Sequence, residues 1–228
     1  NDEVIHARGS PADECRRFRF ESRFELKQAV DDWFANRAEA EVMYGAISGW
    51  DTSRVDDMEN LFDCTPELSW EEKLEETFWQ RLKAKAREVI GTCEYNKRTF
   101  NEKLNWDTSR VRNMAGTFNG AEAFNSELAW DTSLVTNLGA TFYSSKAFDQ
   151  PLNWDTSQVT AMRWTFEEAS AFNQKLAWDT SKVTHMVRTF CAAKAFNQPL
   201  VWDTSLVTSM RGMFYRAEAF KSKLDWDT

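Results

Sequence analysis

The sequence predicts an α/β solenoid, and the prediction depends on three observations. The motif Trp-Asp-Thr recurs with a period of 24 residues; within each unit, apolar residues follow at helical spacing, and an alternation of period two comes after them. A fixed period of roughly 20 to 50 residues is typical of solenoids, whose units bury their apolar faces only against their neighbours. The tryptophans of the regular series are Trp106, Trp130, Trp154, Trp178, Trp202 and Trp226.

A helix of about three turns is predicted in each unit. With the Trp as position 0, apolar side chains fall at +5, +8, +12 and +15, spacings that place them on one helical stripe. One such set is Val111, Met114, Phe118 and Ala121. The Asp-Thr-Ser triplet ahead of the stripe, for example residues 155–157, offers side-chain acceptors for free N–H groups. It therefore predicts a turn and a helix N-cap.

A short strand is predicted after the helix, because Leu176 and Trp178 alternate with polar or small residues, and stacking would pair such strands in parallel. The result is a leucine-rich-repeat-like, right-handed coil of strand-turn-helix units. Solenoids bind through the outer face of such sheets, so the outward strand residues form the candidate interaction surface. They are Lys103, Asn105, Glu127, Ala129, Pro151, Asn153, Lys175, Ala177, Pro199, Val201, Lys223 and Asp225.

The chain divides into an N-terminal extension (1–21), a helical cap (22–49) and the repeats (50–228). Ser22 to Glu25 is a capping box, and the helix that it opens would turn Leu26, Val30 and Trp33 inward. Residues 36–44 indicate a second helix. Together the two helices are expected to cover the N-terminal end of the core. The sequence ends inside a new unit, so that end is expected to be truncated or covered by a partner.

An insertion at about residues 63–99 separates the first unit, which begins at Trp50, from the regular series. Residues 69–72 form a capping box, and the helix after them has apolar residues on one side. This helix either packs on the flank of the repeats or presents Trp70, Phe78 and Trp79 to another chain.

Charge and composition exclude several classes of partner. The net charge is −8, and no Lys/Arg cluster is present for phosphate contacts, so nucleic acid is not expected. The sequence contains no run of about 18 apolar residues, so no membrane-spanning helix is predicted. The cysteines lie outside the repeat consensus, and a bridge between Cys64 and Cys93 would require the inserted helix to fold back.

Two ligand-binding alternatives for the repeated motif carry less weight than a structural role. The aspartates after each Trp could form a calcium ladder, but one carboxylate per unit does not supply the several oxygens that calcium needs around one point. The threonine columns, such as Thr156, Thr160 and Thr165, suggest an ice-binding face, but they are predicted on a turn and a helix.

Catalysis is not predicted, and neither a cofactor nor a metal is expected. His185 and Cys191 occupy variable repeat positions, where a solvated side chain is expected for the histidine, and no local spacing suggests a Cys-His pair or a triad. The sequence contains no Gly-rich phosphate loop and no zinc-binding helix.

Residues 172–186, which read Phe-Asn-Gln-Lys-Leu-Ala-Trp-Asp-Thr-Ser-Lys-Val-Thr-His-Met, closely resemble the BspA-like leucine-rich-repeat surface proteins of bacteria, protists and algae. Residues 25–33 and 44–50 resemble the segment before these arrays in protist members. The helical insertion is a departure from the family pattern, as is the shorter spacing between the aliphatic residue and the Trp.

The resemblance implies a non-enzymatic, adhesion-like scaffold of an algal or protist source, secreted or at the cell surface, that binds another protein or a glycan. The alternative is a structural or linker subunit of a large assembly, imported into an organelle.

Overall fold

The computed structural model describes residues 18–62, 96–224 and 226. Two helices come first, α1 (Arg23–Ala35) and α2 (Arg37–Tyr44), and a 3-10 turn follows at Ile47–Gly49. The Ser22 hydroxyl accepts a hydrogen bond from the N–H of Glu25 at 3.3 Å, as predicted for an N-cap. The Glu25 carboxylate accepts from Glu21 at 2.8 Å rather than from Ser22. The second predicted helix is also confirmed, and it ends at Gly45, whose φ is 76°.

Helix α1 covers the N-terminal end of an aromatic core. Leu26, Val30 and Trp33 are buried, as predicted. The Trp33 ring meets Phe100 edge-on with ring centroids 5.6 Å apart, and Phe34 meets the same ring at 5.7 Å. The cap is therefore joined to the first unit by aromatic contacts.

From Trp50 onward, with the insertion set aside, each unit lies against the next. Isolated parallel bridges connect the +7 residues of successive units. These residues are Asp57, Asn113, Asn137, Ala161, His185 and Ser209. Further backbone bonds run the same way, for example from the N–H of Gly116 to the carbonyl of Gly139 at 2.8 Å. Neighbouring units thus satisfy one another's backbone groups.

The prediction of a helix in each unit is wrong. Between residues 100 and 224 the described chain contains turns and bridges but no α-helix. The +10 and +14 residues have positive φ, for example 53° at Ala140 and 56° at Ser144, which breaks any right-handed helix. Their N–H groups donate to the next unit instead of to a carbonyl four residues back. The spacing of three and four residues arises from consecutive turns.

The prediction of a strand around Leu176 and Trp178 is also wrong. No bridge involves Leu176 or Trp178, and the parallel bridges lie at +7, inside the segment predicted as helix. The inward and outward alternation around Leu176 is nevertheless confirmed, because Leu176 and Trp178 are buried whereas Lys175 and Ala177 are exposed. The solenoid class itself stays a prediction, with its strand-turn-helix unit replaced by a bridge-and-turn unit.

Three columns of aromatic rings fill the interior. The stacked pairs of the Trp column have nearly parallel rings: Trp154 and Trp178 have centroids 6.2 Å apart and an interplanar angle of 2°. Two Phe columns, at +12 and +18, run beside it; Phe142 and Phe166 are 5.6 Å apart in the first, and Phe148 and Phe172 are 6.0 Å apart in the second. The stacked-tryptophan core predicted from the sequence is confirmed.

Polar side chains inside the repeat bond to the backbone of a neighbouring unit. The buried Thr156 hydroxyl donates to the carbonyl of Asp179 at 3.0 Å, and equivalent threonines repeat this bond. The Asn125 side chain accepts from the N–H of Asp149 at 2.9 Å, and Asp149 accepts in turn from Asn173 at 2.8 Å. The repeated Thr and Asn of the motif are therefore structural.

The repeat continues across the insertion without a change of register. Trp50 stacks on Trp106 at 6.1 Å, and Phe62 stacks on both Phe100 and Phe118. Residues 50–62 and 100–105 therefore complete a single unit. The predicted capping box and helix of the insertion lie outside the described residues, as do Cys64 and Cys93.

Candidate interaction surfaces

The predicted interaction surface faces solvent, although it does not form a strand. We call it the edge columns; its described members are all exposed, and Val201 reaches 94%. The side chains of Lys103, Glu127 and Lys175 make no hydrogen bond or ion pair with described residues. Near the end of the columns, Pro199, Val201 and Lys223 line a shallow hollow of about 550 Å³. Asp225 and the predicted Trp70, Phe78 and Trp79 lie outside the described residues.

A second surface, which the sequence reasoning missed, lies beside the parallel bridges. It is a groove of about 400 Å³ that crosses five units, and we call it the ladder groove. Its two ends are Glu59 and Asn60 on one side and Arg163, Trp164 and His185 on the other. The floor consists of small residues, Ala115, Gly116, Gly139, Ala140 and Ala161.

Trp164 is the one tryptophan among the large hydrophobic residues exposed in the described part of the chain, with 42% of its surface accessible. Its φ is 60°, in the left-handed region. Other units place Asn60, Gly116, Ala140, Arg188 or Gly212 at this position, so the positive φ belongs to the repeat and not to Trp164 alone. The position faces outward, and Trp164 places an aromatic ring there.

Charge is unevenly distributed along this face. The unit that begins at Trp50 contributes Asp56, Asp57 and Glu59, and the next unit contributes the exposed Arg112 in the same column as Asp56. The units from Trp154 onward contribute Arg163, Arg188 and Arg211, with His185 among them. The carboxylates of this face are therefore confined to the first unit, and basic side chains begin in the second. Neither Asp56 nor Arg163 has an ion-pair partner among the described residues.

The aspartates after each Trp serve their own turns. The Asp155 carboxylate accepts from the N–H of Ser157 at 2.9 Å, and this bond, together with one from the Ser157 side chain, lowers the pKa of Asp155. At Asp51 the Ser53 hydroxyl and the Arg19 guanidinium lower the pKa to about 2, against the opposing effect of burial. No cluster of three potential metal ligands occurs within the described ranges. The calcium ladder gains no support from this geometry.

The other residues singled out from the sequence are placed as follows. Thr156 and Thr165 are buried, so of the three predicted threonine columns only that of Thr160, which includes Thr136 and Thr208, reaches solvent. His185 is half-buried, and its Nδ1 lies 2.9 Å from the Thr184 hydroxyl. Cys191 is buried and unpaired by a disulfide.

A buried ion pair beside Cys191 was not foreseen. The Glu167 side chain is almost fully buried and pairs with Arg188, whose guanidinium also lies 3.4 Å from the Cys191 sulfur. Burial is the main cause that raises the pKa of Glu167, and Arg188 acts against it. Glu167 and Arg188 lie in adjacent units, so only the period of the repeat could have indicated their contact.

No described helix has the length and apolar character needed to cross a membrane. Sequence comparison finds no curated protein and no solved structure that matches the chain. A family model does match, over residues 20–79, 88–175 and 152–228, and it is described as a Mycoplasma protein of unknown function, DUF285. These matches span the cap and the repeats and together cover most of the sequence. The chain therefore belongs to the DUF285 family.

Proposed function

We propose that the protein is a non-enzymatic repeat scaffold that binds another protein, or a glycan, through the edge columns. One observation carries the proposal. Interior positions repeat the same side chain from unit to unit, whereas the edge columns change at every unit. Successive residues of one column are Lys103, Glu127, Pro151, Lys175 and Pro199. A constant framework with a variable outer surface is the arrangement that repeat proteins use for recognition.

The framework also favours binding on physical grounds. The hydrogen bonds between units and the stacked rings hold the backbone of the edge columns in place, so little backbone entropy remains to be lost on association. Pro151 and Pro199 restrict that backbone further. The lysines and Glu127 supply charges that would give specificity and a salt-dependent association rate.

The test is affinity capture from an extract of the source organism, followed by binding measurements with the purified partner. A Lys103→Glu/Lys175→Glu variant should lose at least tenfold in affinity. An Arg110→Glu/Lys182→Glu variant makes the same change of net charge elsewhere and should retain the partner. Equal binding by both variants would contradict the proposal. A partner that stays bound in fixed stoichiometry, whatever changes are made in the edge columns, would instead favour the structural or linker subunit.

A further inference from the structure

We infer that the ladder groove binds a neutral, β-linked oligosaccharide, with one sugar ring stacked on Trp164. The site lies on a face other than the edge columns, so the inference does not rest on the proposed function. Three observations carry it. An aromatic ring is exposed at one end of the groove, the backbone of the floor is already paired, and polar side chains around the floor keep hydrogen-bonding atoms that no described residue uses.

Trp164 provides the platform for one sugar ring. It is the one Trp, Tyr or Phe among the described residues that line the groove, and 42% of its surface is exposed. The covered part of the side chain limits its motion, so little side-chain entropy remains to be lost on binding. The face of an indole carries a partial negative charge and attracts the C–H groups on the face of a pyranose ring. Stacking is therefore expected at a single sugar.

The floor of the groove disfavours an extended peptide. Peptides that dock on exposed backbone pair with free N–H and carbonyl groups, as an added strand does. Each of the five floor residues already donates its N–H and accepts at its carbonyl. For example, the N–H of Gly139 donates to the Asn137 side chain at 2.9 Å, and its carbonyl accepts from Gly116 at 2.8 Å. A ligand in this groove must therefore be recognised by side chains.

The polar side chains of the lining retain both donors and acceptors. The Arg163 guanidinium and the Asn60 amide make no hydrogen bond with described residues. Asn137 uses only its oxygen, in the bond to the floor, and keeps its Nδ2 donors. Glu59 accepts from Asn113 through Oε2 alone. Sugar hydroxyls donate and accept at once, so this mixture suits them better than a ligand of one hydrogen-bonding type.

His185 adds an acceptor to the basic end of the groove. The Thr184 hydroxyl donates its one proton to the carbonyl of Thr160 at 3.2 Å. It also lies 2.9 Å from Nδ1 of His185, where its oxygen must therefore be the acceptor. Nδ1 carries the proton of the neutral imidazole, and Nε2 is left as an acceptor. This end of the groove can thus accept as well as donate.

The charges and the length of the groove define the ligand further. Glu59 lies at one end and Arg163 at the other, so a chain with one repeated charge would be repelled at one of the two ends. Four unit spacings of about 4.8 Å give a length of roughly 20 Å. A sugar in an extended β-linked chain advances by about the same distance as one unit, so a tetrasaccharide spans the groove. Because the groove is open, a dissociation constant of about 0.1 to 1 mM is expected.

The experiment is NMR titration of the ¹⁵N-labelled full chain with cellotetraose and with N-acetylchitotetraose. It is followed at the tryptophan indole N–H signals and at the backbone amides of the floor, and Trp164→Phe identifies the Trp164 signal by its loss. The expected result is a saturable shift of that signal and of the floor amides with at least one of the two sugars. Maltotetraose has the same number of sugars in a curved, α-linked chain and should bind at least about threefold more weakly.

Variants locate the site. Trp164→Ala should weaken binding at least about tenfold, and Arg163→Ala at least about threefold, both measured at the floor amides. Tyr215→Ala is the matched control, because it removes a ring that is 57% exposed outside the groove and should leave the affinity unchanged. Thermal unfolding of each variant checks that the fold is retained.

The inference is overturned if neither β-linked tetrasaccharide shifts the Trp164 signal at about 10 mM, well above the expected dissociation constant. Equal affinity for maltotetraose, or shifts that persist in the folded Trp164→Ala variant, would overturn it as well. A hydrophilic Gly-Ser-Asn peptide that shifts the floor amides when the sugars do not would replace the glycan with a peptide. Sugar binding that is lost in the Lys103→Glu/Lys175→Glu variant but kept in Trp164→Ala would assign the glycan to the edge columns, in support of the proposed function and against this site.

Discussion

The helical cap and the stacked units satisfy their backbone groups in opposite ways. In the cap, bonds are local: the N–H of Asn36 donates to Asp32, and that of Gly45 to Glu41. In the repeats, the N–H of Met114 donates to the carbonyl of Asn137 in the next unit. Helices α1 and α2 can therefore form from nearby residues, whereas each unit depends on its neighbour. Stability of the repeats should be cooperative over several units and should be lost when one interior column is broken.

The largest loss of stability is expected from Trp154→Ala. The ring is buried and stacked on Trp178, so its removal leaves a cavity that the close-packed columns cannot fill. The free energy of unfolding should fall by about 3 to 5 kcal/mol in urea titrations. The control is Trp164→Ala, which removes an exposed ring and should change stability by less than about 0.5 kcal/mol. Equal losses in the two variants would contradict the stacked core.

A smaller effect is expected from Gly116→Ala. The φ of Gly116 is 63°, and a Cβ built there would lie 2.0 Å from the Asn60 side-chain oxygen. A loss of about 1 to 2 kcal/mol is expected in urea titrations. Gly49→Ala, where no atom lies within 4 Å of the added Cβ, is the control. Combining Gly116→Ala with Asn60→Gly removes the oxygen that the new Cβ would meet and should recover part of the lost free energy. Ala140 occupies the equivalent position in the next unit, so alanine is tolerated there when no such oxygen opposes it. No recovery would mean that the Asn60 contact is unimportant.

Loss of the α1 N-cap should have a local effect. Ser22→Ala removes the acceptor for the N–H of Glu25 and should cost about 1 kcal/mol. Hydrogen exchange should speed up at the α1 amides while the N–H of Met114 remains protected. If protection falls equally in both regions, the cap and the units are a single cooperative element.

The smallest loss of stability is expected from lowering the pH. The pKa values of Asp131, Asp155, Asp179 and Asp203 are lowered, and that of Asp51 falls to about 2. A carboxyl with a lowered folded-state pKa stabilises the fold above its ordinary pKa, near 4. That contribution is lost as the pH falls toward 2. Asp51→Asn keeps an acceptor for Ser53 but cannot titrate, so its melting temperature should depend less on pH in this window. An unchanged slope would contradict the assignment.

The sequence could predict burial and the caps of α1 and α2, but not the backbone path of a unit, where residues 155–157 were expected to cap a helix and instead form only a turn. Burial was predictable for Val111, Met114 and Phe118 because they are apolar and recur with the period of the repeat. The capping role of Ser22 was predictable because it depends on a hydrogen bond to a residue only three positions away. The same spacing of three and four fits both a helical stripe and a series of turns. The signal against a helix was present in the glycines at +10, Gly116 and Gly212, which mark positive φ.

The ladder groove could not be predicted, because its formation depends on which side of each turn faces out. Trp164 looked like any other apolar residue until the left-handed position was known. The buried Glu167 pairs with Arg188 of the following unit, a contact set by the unit spacing rather than by local sequence.

The dependence of each unit on its neighbour is tested most directly by removing one whole period. Deletion of residues 131–154 joins Trp130 to Asp155 and preserves every column, whereas deletion of residues 131–142 removes half a unit and misaligns them. The cooperativity of urea unfolding, followed by tryptophan fluorescence, should survive the first deletion and disappear in the second. If the whole-period deletion unfolds the chain, or if the half-period deletion does not, the stacked-unit account is wrong.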